Sequence, residues 1–132
     1  MKGFRINIEK ITKDNTSFRK VLYTSKHSQL VLMSLQAMEE IGEEIHPGSD
    51  QFFRVESGQG KCTIDGNEYE ITSGDAIVVP AGAKHNIINT QGNAPLSMYT
   101  IYSPAHHKDK LIRATKEEAE LAGIEFDGVT TE

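Results

Sequence analysis

Length, composition and charge already exclude several classes of protein. The 132 residues predict one domain, large enough to bury a hydrophobic core without disulfides. With 37% hydrophobic and 25% charged residues, the chain is not collagen-like, disordered or a coiled coil. The net charge of −5 argues against nucleic acid as a partner, because phosphate binding needs clustered basic side chains.

The sequence also carries no signal for a membrane or for export. No run of 18 apolar residues exists, and the N-terminus has no apolar stretch of the kind found in secretory signals. The single cysteine, Cys62, cannot form an internal disulfide, and we expect it to be a small buried hydrophobe. These observations predict a cytoplasmic protein that does not enter a membrane.

Apolar residues recur with a period of two along most of the chain, which predicts short β-strands. The predicted strands are 18–22, 30–35, 52–56, 61–64, 68–71, 76–79, 85–89 and 96–102. Asp65-Gly66 lies between two of them and predicts a tight hairpin, because both residues tolerate positive φ. Many short strands at close spacing predict an all-β sandwich or barrel.

One helix is predicted, near the C-terminus. Thr115 and Glu118 have the spacing of a capping box, which predicts a short helix over about 115–122. Gly123 is expected to end this helix in a left-handed conformation, and the polar residues 124–132 are expected to fray. We therefore expect one domain over 1–132, with the barrel core at about 3–105.

Four polar side chains in the β-rich region form a candidate metal site. Glu44 and His46 are two apart on an extended segment, so their side chains share a face. Gln51 follows a bend, His85 begins another strand, and all four can converge if the sheet closes. Nitrogen and oxygen ligands without a thiolate favour a divalent ion and disfavour structural zinc. The alternative is a metal-free barrel in which these groups bind each other or an organic ligand.

At these residues the chain resembles the cupin superfamily. Its second motif, G-x5-P-x-G-x2-H-x3-N, is matched at Gly74, Pro80, Gly82, His85 and Asn89. Its first motif, H-x-H-x3,4-E-x6-G, is matched only at His46 and Gly58, because Glu44 replaces the first histidine and Gln51 replaces the glutamate. The nearest resemblance is to small single-domain bacterial cupins of the type labelled mannose-6-phosphate-isomerase-like.

The resemblance implies a cupin-type double-stranded β-helix, that is, a jelly-roll barrel, with a short C-terminal helix added. It implies a divalent metal such as Mn, Fe, Ni or Zn, held by Glu44, His46, Gln51 and His85. It also implies a metal-dependent isomerase, decarboxylase or oxygenase for a small polar metabolite, with Glu44 or a bound water moving a proton. The alternative is a non-catalytic module that binds or senses a small molecule. We expect a homodimer, because small barrels expose sheet edges.

Strand parity predicts which other side chains face the interior. Phe53, Val55, Ile87 and Asn89 are expected to line the cavity. Asp50, Arg54, Glu56 and Lys84 are expected to face outward, which leaves no arginine or lysine inside to hold a phosphate. We therefore predict hydroxy acids, keto acids or neutral sugars as ligands, and no turnover of mannose 6-phosphate.

Several further residues receive structural interpretations. His106 and His107 could cover the mouth of the barrel, but consecutive residues seldom face one site, so we expect them to lie in a solvated loop. Met33, Met38 and Met98 are expected to be core or cavity lining, and His27 is expected at the surface.

Overall fold

Two antiparallel sheets form the framework of the protein. The computed structural model describes residues 1–121 and 123–132. The strands are β1 (Arg19–Thr24), β2 (Gln29–Leu35), β3 (Glu44–Ile45), β4 (Asp50–Ser57), β5 (Gln59–Ile64), β6 (Asn67–Thr72), β7 (Ala76–Val79), β8 (Lys84–Asn89), β9 (Leu96–Ser103) and β10 (Ile112–Arg113). One sheet has the order β10-β1-β2-β9-β4-β7, and the other has the order β3-β8-β5-β6. The prediction of an all-β cupin-type barrel is confirmed.

The hydrophobic core lies between the two sheets and contains the inward residues of most strands. Phe53, Val55 and Ile87 are completely buried there, and so is Cys62, as predicted. Burial raises the pKa of the Cys62 thiol to about 11, so the thiol stays protonated at neutral pH. Of the three methionines expected in the interior, Met38 is the exception, because it lies in a turn with φ of 63° and is 65% exposed.

The hairpin between β5 and β6 forms where the sequence places it. Asp65 and Gly66 have φ of 46° and 82°, and Ile64 pairs with Asn67 across the turn. Positive φ at both central residues matches the right-handed twist of the flanking strands.

A β-bulge in β4 lies at Glu56, which is more buried than expected for a solvated residue. The register between β4 and β9 shifts between Val55 and Ser57. Glu56 lies at this shift and is 7% exposed. Its carboxylate remains paired with Arg54, at 3.4 Å.

The structure contains two short helices, of which the sequence analysis missed the first. Helix α1 spans Ile8–Asp14, and Asn7 caps it by accepting a hydrogen bond from the amide of Lys10 at 3.0 Å. It packs on β4 and β9 through the buried Thr12 and the half-buried Ile8 and Ile11. Because this face contains only two large apolar residues, hydrophobic periodicity gives little signal. Within the described residues, neither helix is long or apolar enough to cross a bilayer.

Helix α2 (Lys116–Leu121) begins at the predicted capping box. The Thr115 hydroxyl accepts a hydrogen bond from the amide of Glu118 at 3.2 Å, and the Glu118 carboxylate reaches back to the amide of Ala114 at 2.8 Å. The predicted last residue, Ala122, lies outside the described residues. The expected left-handed conformation of Gly123, which adjoins that residue, stays a prediction.

The C-terminal tail is also ordered differently from the prediction, because it is bonded to the barrel. Phe126 donates its amide to the carbonyl of His106, at 3.0 Å. Thr131 donates its amide to the carbonyl of Thr24 at 2.9 Å, and its hydroxyl accepts from the amide of Thr24 at 2.8 Å. The Glu132 carboxylate binds the Tyr23 hydroxyl. The tail therefore lies along β1 and does not fray.

Candidate metal centre

Antiparallel pairing between β3 and β8 brings the candidate ligands together. Glu44 is the direct partner of His85 in the register, and His46 follows Glu44 by two residues. The ligand atoms of these three residues all lie within 4.8 Å of one another. The Nε2 atom of His46 is 3.0 Å from Oε2 of Glu44. The structure thus assembles one carboxylate and two imidazoles at one end of the barrel.

His85 presents a ring nitrogen that is prepared for a ligand. Its Nδ1–H donates to the carbonyl of Ala83 at 3.1 Å, which leaves the lone pair on Nε2. This Nε2 is buried and has no hydrogen-bond partner in the part of the chain that the structure describes. Burial lowers the pKa of His85, with the Ala83 carbonyl acting in the opposite direction. The ring is therefore neutral at physiological pH, which is the form that binds a metal.

Glu44 is held in its charged form. Burial raises its pKa, but the hydrogen bond and the charge of His46 outweigh burial, and Arg19 and His85 add to them. The net result is a carboxyl pKa below the ordinary value. Its side chain is 30% exposed, against 9% for His46, so Glu44 is the more accessible of the two.

Gln51 presents a second buried atom that lacks a partner. Gln51 is 2% exposed on β4, and its Nε2 donates to the hydroxyl of Thr100 at 3.0 Å. This bond orients the amide, and its Oε1 has no hydrogen-bond partner among the described residues. An unpaired buried oxygen is costly in the free protein and suits a cation. The ligand set therefore fits a divalent ion, while Gln51 as fourth ligand stays a prediction.

The four residues expected to line the cavity lie deeper than the ligand group. Phe53, Val55 and Ile87 belong to the core, and the Phe53 ring centre is 6.4 Å from that of His85. The amide nitrogen of Asn89 donates to three backbone carbonyls, at 2.9 to 3.1 Å, and so organises neighbouring loops. A cavity of ≈ 360 Å³ opens beside His46, and its walls come instead from residues 46–49, 104–106 and 125–126.

His106 and His107 are not in a solvated loop, and this expectation was wrong. The His106 ring centre is 4.3 Å from that of His46, and His106 also stacks on Tyr102 at 5.4 Å. His107 is 8% exposed, and its Nε2 lies 3.1 Å from the Tyr102 hydroxyl. Parity arguments fail here because the two residues follow the end of β9 and do not alternate. Burial lowers the pKa of both rings, that of His107 to about 2.

Arg19 is a further residue near the site that was not expected there. It is 8% exposed on β1, so the expectation that no basic side chain lies inside the barrel was wrong. Its charge lowers the pKa of Glu44 and opposes the rise that burial causes in the Tyr102 pKa. The available signal was its parity with Val21, which is also buried. Lys84, by contrast, is exposed as predicted and pairs with Glu43 at 3.2 Å.

Two facing antiparallel sheets around a His-and-carboxylate group define the cupin class of protein. The cupin domain family matches residues 31–102, which is more than half of the chain. The chain therefore belongs to the cupin family.

Relatives of similar sequence support this assignment. The chain is 45% identical over 127 residues to the uncharacterized protein YrkC of Bacillus subtilis, covering 92% of this chain and 68% of that protein. It is 45% identical over 105 residues to an uncharacterized protein of Acanthamoeba polyphaga mimivirus, covering 77% of this chain and 66% of that protein. The chain thus spans about two thirds of the length of each. The crystal structure of BH2720 from Bacillus halodurans is 42% identical with a TM-score of 0.89, covering 92% of this chain and 96% of that one.

Proposed function

We propose that this cupin binds a divalent metal ion such as Mn, Fe, Ni or Zn through Glu44, His46 and His85, with Gln51 as a fourth ligand. We further propose that it acts on a small polar metabolite, a sugar or a hydroxy or keto acid. The supporting observation is the buried, unpaired Nε2 of His85 within 4.8 Å of two other ligand atoms. A bound divalent cation would act as a Lewis acid on a carbonyl or hydroxyl oxygen.

Glu44 is the residue proposed to move a proton. Its lowered pKa keeps it ionised near neutral pH, and its partial exposure leaves it accessible to a ligand. The cavity beside His46 is the proposed entry to this side chain. His106 forms one wall of that cavity and would limit the size of the ligand.

A second function, binding without turnover, is favoured by the composition of the ligand group. Glu44 is the single carboxylate among the three clustered residues. If Glu44 coordinates the ion, no second carboxylate in that cluster is free to act as a base. A metal-loaded protein that binds hydroxy acids and never consumes them would identify a binding or sensing module.

The metal proposal is tested by metal content. Protein purified without affinity resin or chelator is expected to contain about one divalent ion per chain by mass spectrometry, or to take one up from Mn, Fe, Co, Ni or Zn. His85→Ala should abolish uptake and retain the β-rich circular dichroism spectrum. His27→Ala is the matched control, because His27 is exposed and outside the ligand group. Wild-type protein that takes up none of the five metals at saturation would refute the proposal.

A further inference from the structure

A second cavity lies beside the metal centre, behind His106. Its volume is ≈ 150 Å³, which is room for a small polar group rather than a whole metabolite. Its walls include Arg19, His106, His107, Leu111, Arg113 and Glu125. His106 and Glu125 also line the larger cavity at His46, so these two side chains separate the two spaces.

The notable feature of this cavity is the buried guanidinium of Arg19, which lies 5.2 Å from the centre of the Phe18 ring and near Tyr102 but has no carboxylate partner among the described residues. Arg19 is 8% exposed, and its Nε makes no hydrogen bond within the described ranges. No carboxylate among residues 1–121 and 123–132 lies within 4.0 Å of its guanidinium. A guanidinium stays charged in proteins, and burying a charge without an ion-pair partner is destabilising. An anion bound beside Arg19 would compensate this buried charge.

Arg113 adds a second guanidinium to the same cavity. It is the direct partner of Arg19 in the pairing of β1 with β10. Its Nε is also buried without a partner in the described structure, while its Nη1 donates to the carbonyl of Ile112 at 3.2 Å. Two arginines on adjacent strands provide forked donors, which match the oxygens of a carboxylate or a phosphate.

We propose that this cavity is an oxyanion site, in which Arg19 and Arg113 bind a carboxylate or phosphate group. The site needs no metal. The oxyanion could be part of the ligand that binds at the metal centre, and this step rests on the function proposed above. One end of that ligand would then bind Arg19, and the other end would bind the metal ion and the side chains near His46. The earlier prediction of neutral sugars is then the weaker one, because it assumed an interior without basic residues.

The test uses chelator-treated protein, so that it does not depend on the metal. Thermal unfolding is followed in sodium phosphate, sodium acetate and sodium chloride at equal ionic strength. At about 100-fold above Kd, phosphate or acetate is expected to raise the wild-type Tm by about 5–10 °C relative to chloride. The stronger of the two identifies the oxyanion. No rise with either anion would overturn the proposal.

Variants connect the response to Arg19. Arg19→Met should have a higher Tm than wild type in chloride, since it removes a buried unpaired charge, and should lose the response to the anion. Lys20→Met, at the neighbouring position on the opposite side of β1, should keep the response. Retention of the full response in Arg19→Met would refute the assignment.

Two further variants keep the result interpretable if Arg19→Met does not fold. Arg113→Gln lies on an edge strand and should weaken the anion response. Glu125→Gln removes an exposed carboxylate from the cavity wall and should strengthen it, because that charge repels an anion. Unchanged responses in both variants would contradict the site. Metal uptake, measured separately, fails or succeeds independently of these results.

Discussion

Gln51 is a residue whose substitution by Glu is expected to change metal affinity and the stability of the metal-free protein in opposite directions. Its Oε1 is buried and unpaired within the described structure, and its Nε2 is bonded to Thr100. In Gln51→Glu, a second carboxylate would strengthen attraction for a divalent ion, and we expect metal affinity to rise about tenfold or more. In chelator the same variant should be less stable than wild type, because the added charge is buried at a position that is 2% exposed.

The measurement for Gln51 is a competition titration with a metal chelator, together with Tm values in the presence and absence of metal. Gln36→Glu is the control, since Gln36 is exposed. An affinity that is unchanged or weaker in Gln51→Glu would show that this position does not contact the ion.

The buried His107 should make the free energy of unfolding depend on pH. Burial lowers its pKa from 6.5 to about 2, so the unfolded chain binds the proton first as the pH falls. The stabilisation due to the neutral ring is complete above pH 6.5 and is lost as the pH falls below 6.5 toward 2. The free energy of unfolding should decrease by about 1.4 kcal/mol per pH unit from this group.

Urea unfolding of chelator-treated protein between pH 7 and pH 4 measures this slope. His107→Gln cannot titrate, so its slope should be smaller by about 1 kcal/mol per pH unit. His27→Gln, at an exposed position, should follow the wild type. Parallel slopes for wild type and His107→Gln would mean that His107 is not buried as described.

At the scale of elements, Gln29 holds the segment that carries His106 and His107. Gln29 is 1% exposed, and its Nε2 donates to the carbonyl of His107 at 2.6 Å. Its Oε1 accepts from the amides of His106 and His107, at 3.2 and 3.0 Å. Gln29→Leu would leave all three backbone groups without their partner, and we expect a loss of about 3 kcal/mol in the free energy of unfolding.

Chemical denaturation of Gln29→Leu against wild type measures this cost. Gln59→Leu is the matched control at an exposed strand position and should change the stability by less than about 0.5 kcal/mol. A similarly small change in Gln29→Leu would show that the segment is held by other contacts.

The elements that could be predicted are those whose signal is local and periodic. The main strands follow from alternation, and Asp65-Gly66 defines its hairpin because the turn needs positive φ. Strands β3 and β10 have two residues each, too few for a pattern, and their pairing depends on the completed barrel. The path of the tail depends on distant bonds to β1, which no local signal encodes.

In the candidate site too, residues with a local sequence signal could be predicted, and residues placed by the tertiary fold could not. Glu44, His46 and His85 could be grouped because two share a face and the third lies in a recognisable motif. Arg19 and His106 could not be placed, since they reach the site from β1 and from a loop after β9, and only the closed fold brings these segments together.

At the scale of the whole molecule, each sheet ends in an exposed edge. In the part of the chain that the structure describes, β6 pairs only with β5, and β7 pairs only with β4. Five of the six residues in β6 are exposed, and Tyr69 and Val78 are 52% and 66% exposed on these two strands. A groove of ≈ 390 Å³ runs between the edges. Free edge backbone groups and apolar side chains together favour pairing with another strand.

We predict that a second copy of the chain covers these edges, giving a homodimer. Light scattering coupled to size exclusion should give twice the mass of one chain at micromolar concentration. Val78→Asp should give monomers, because it would bury a charge at the interface. Ile112→Asp is the control, since Ile112 is 53% exposed on β10 at the opposite edge of the same sheet. A monomeric wild type would refute the dimer, and dissociation by Ile112→Asp alone would place the interface at β10 instead.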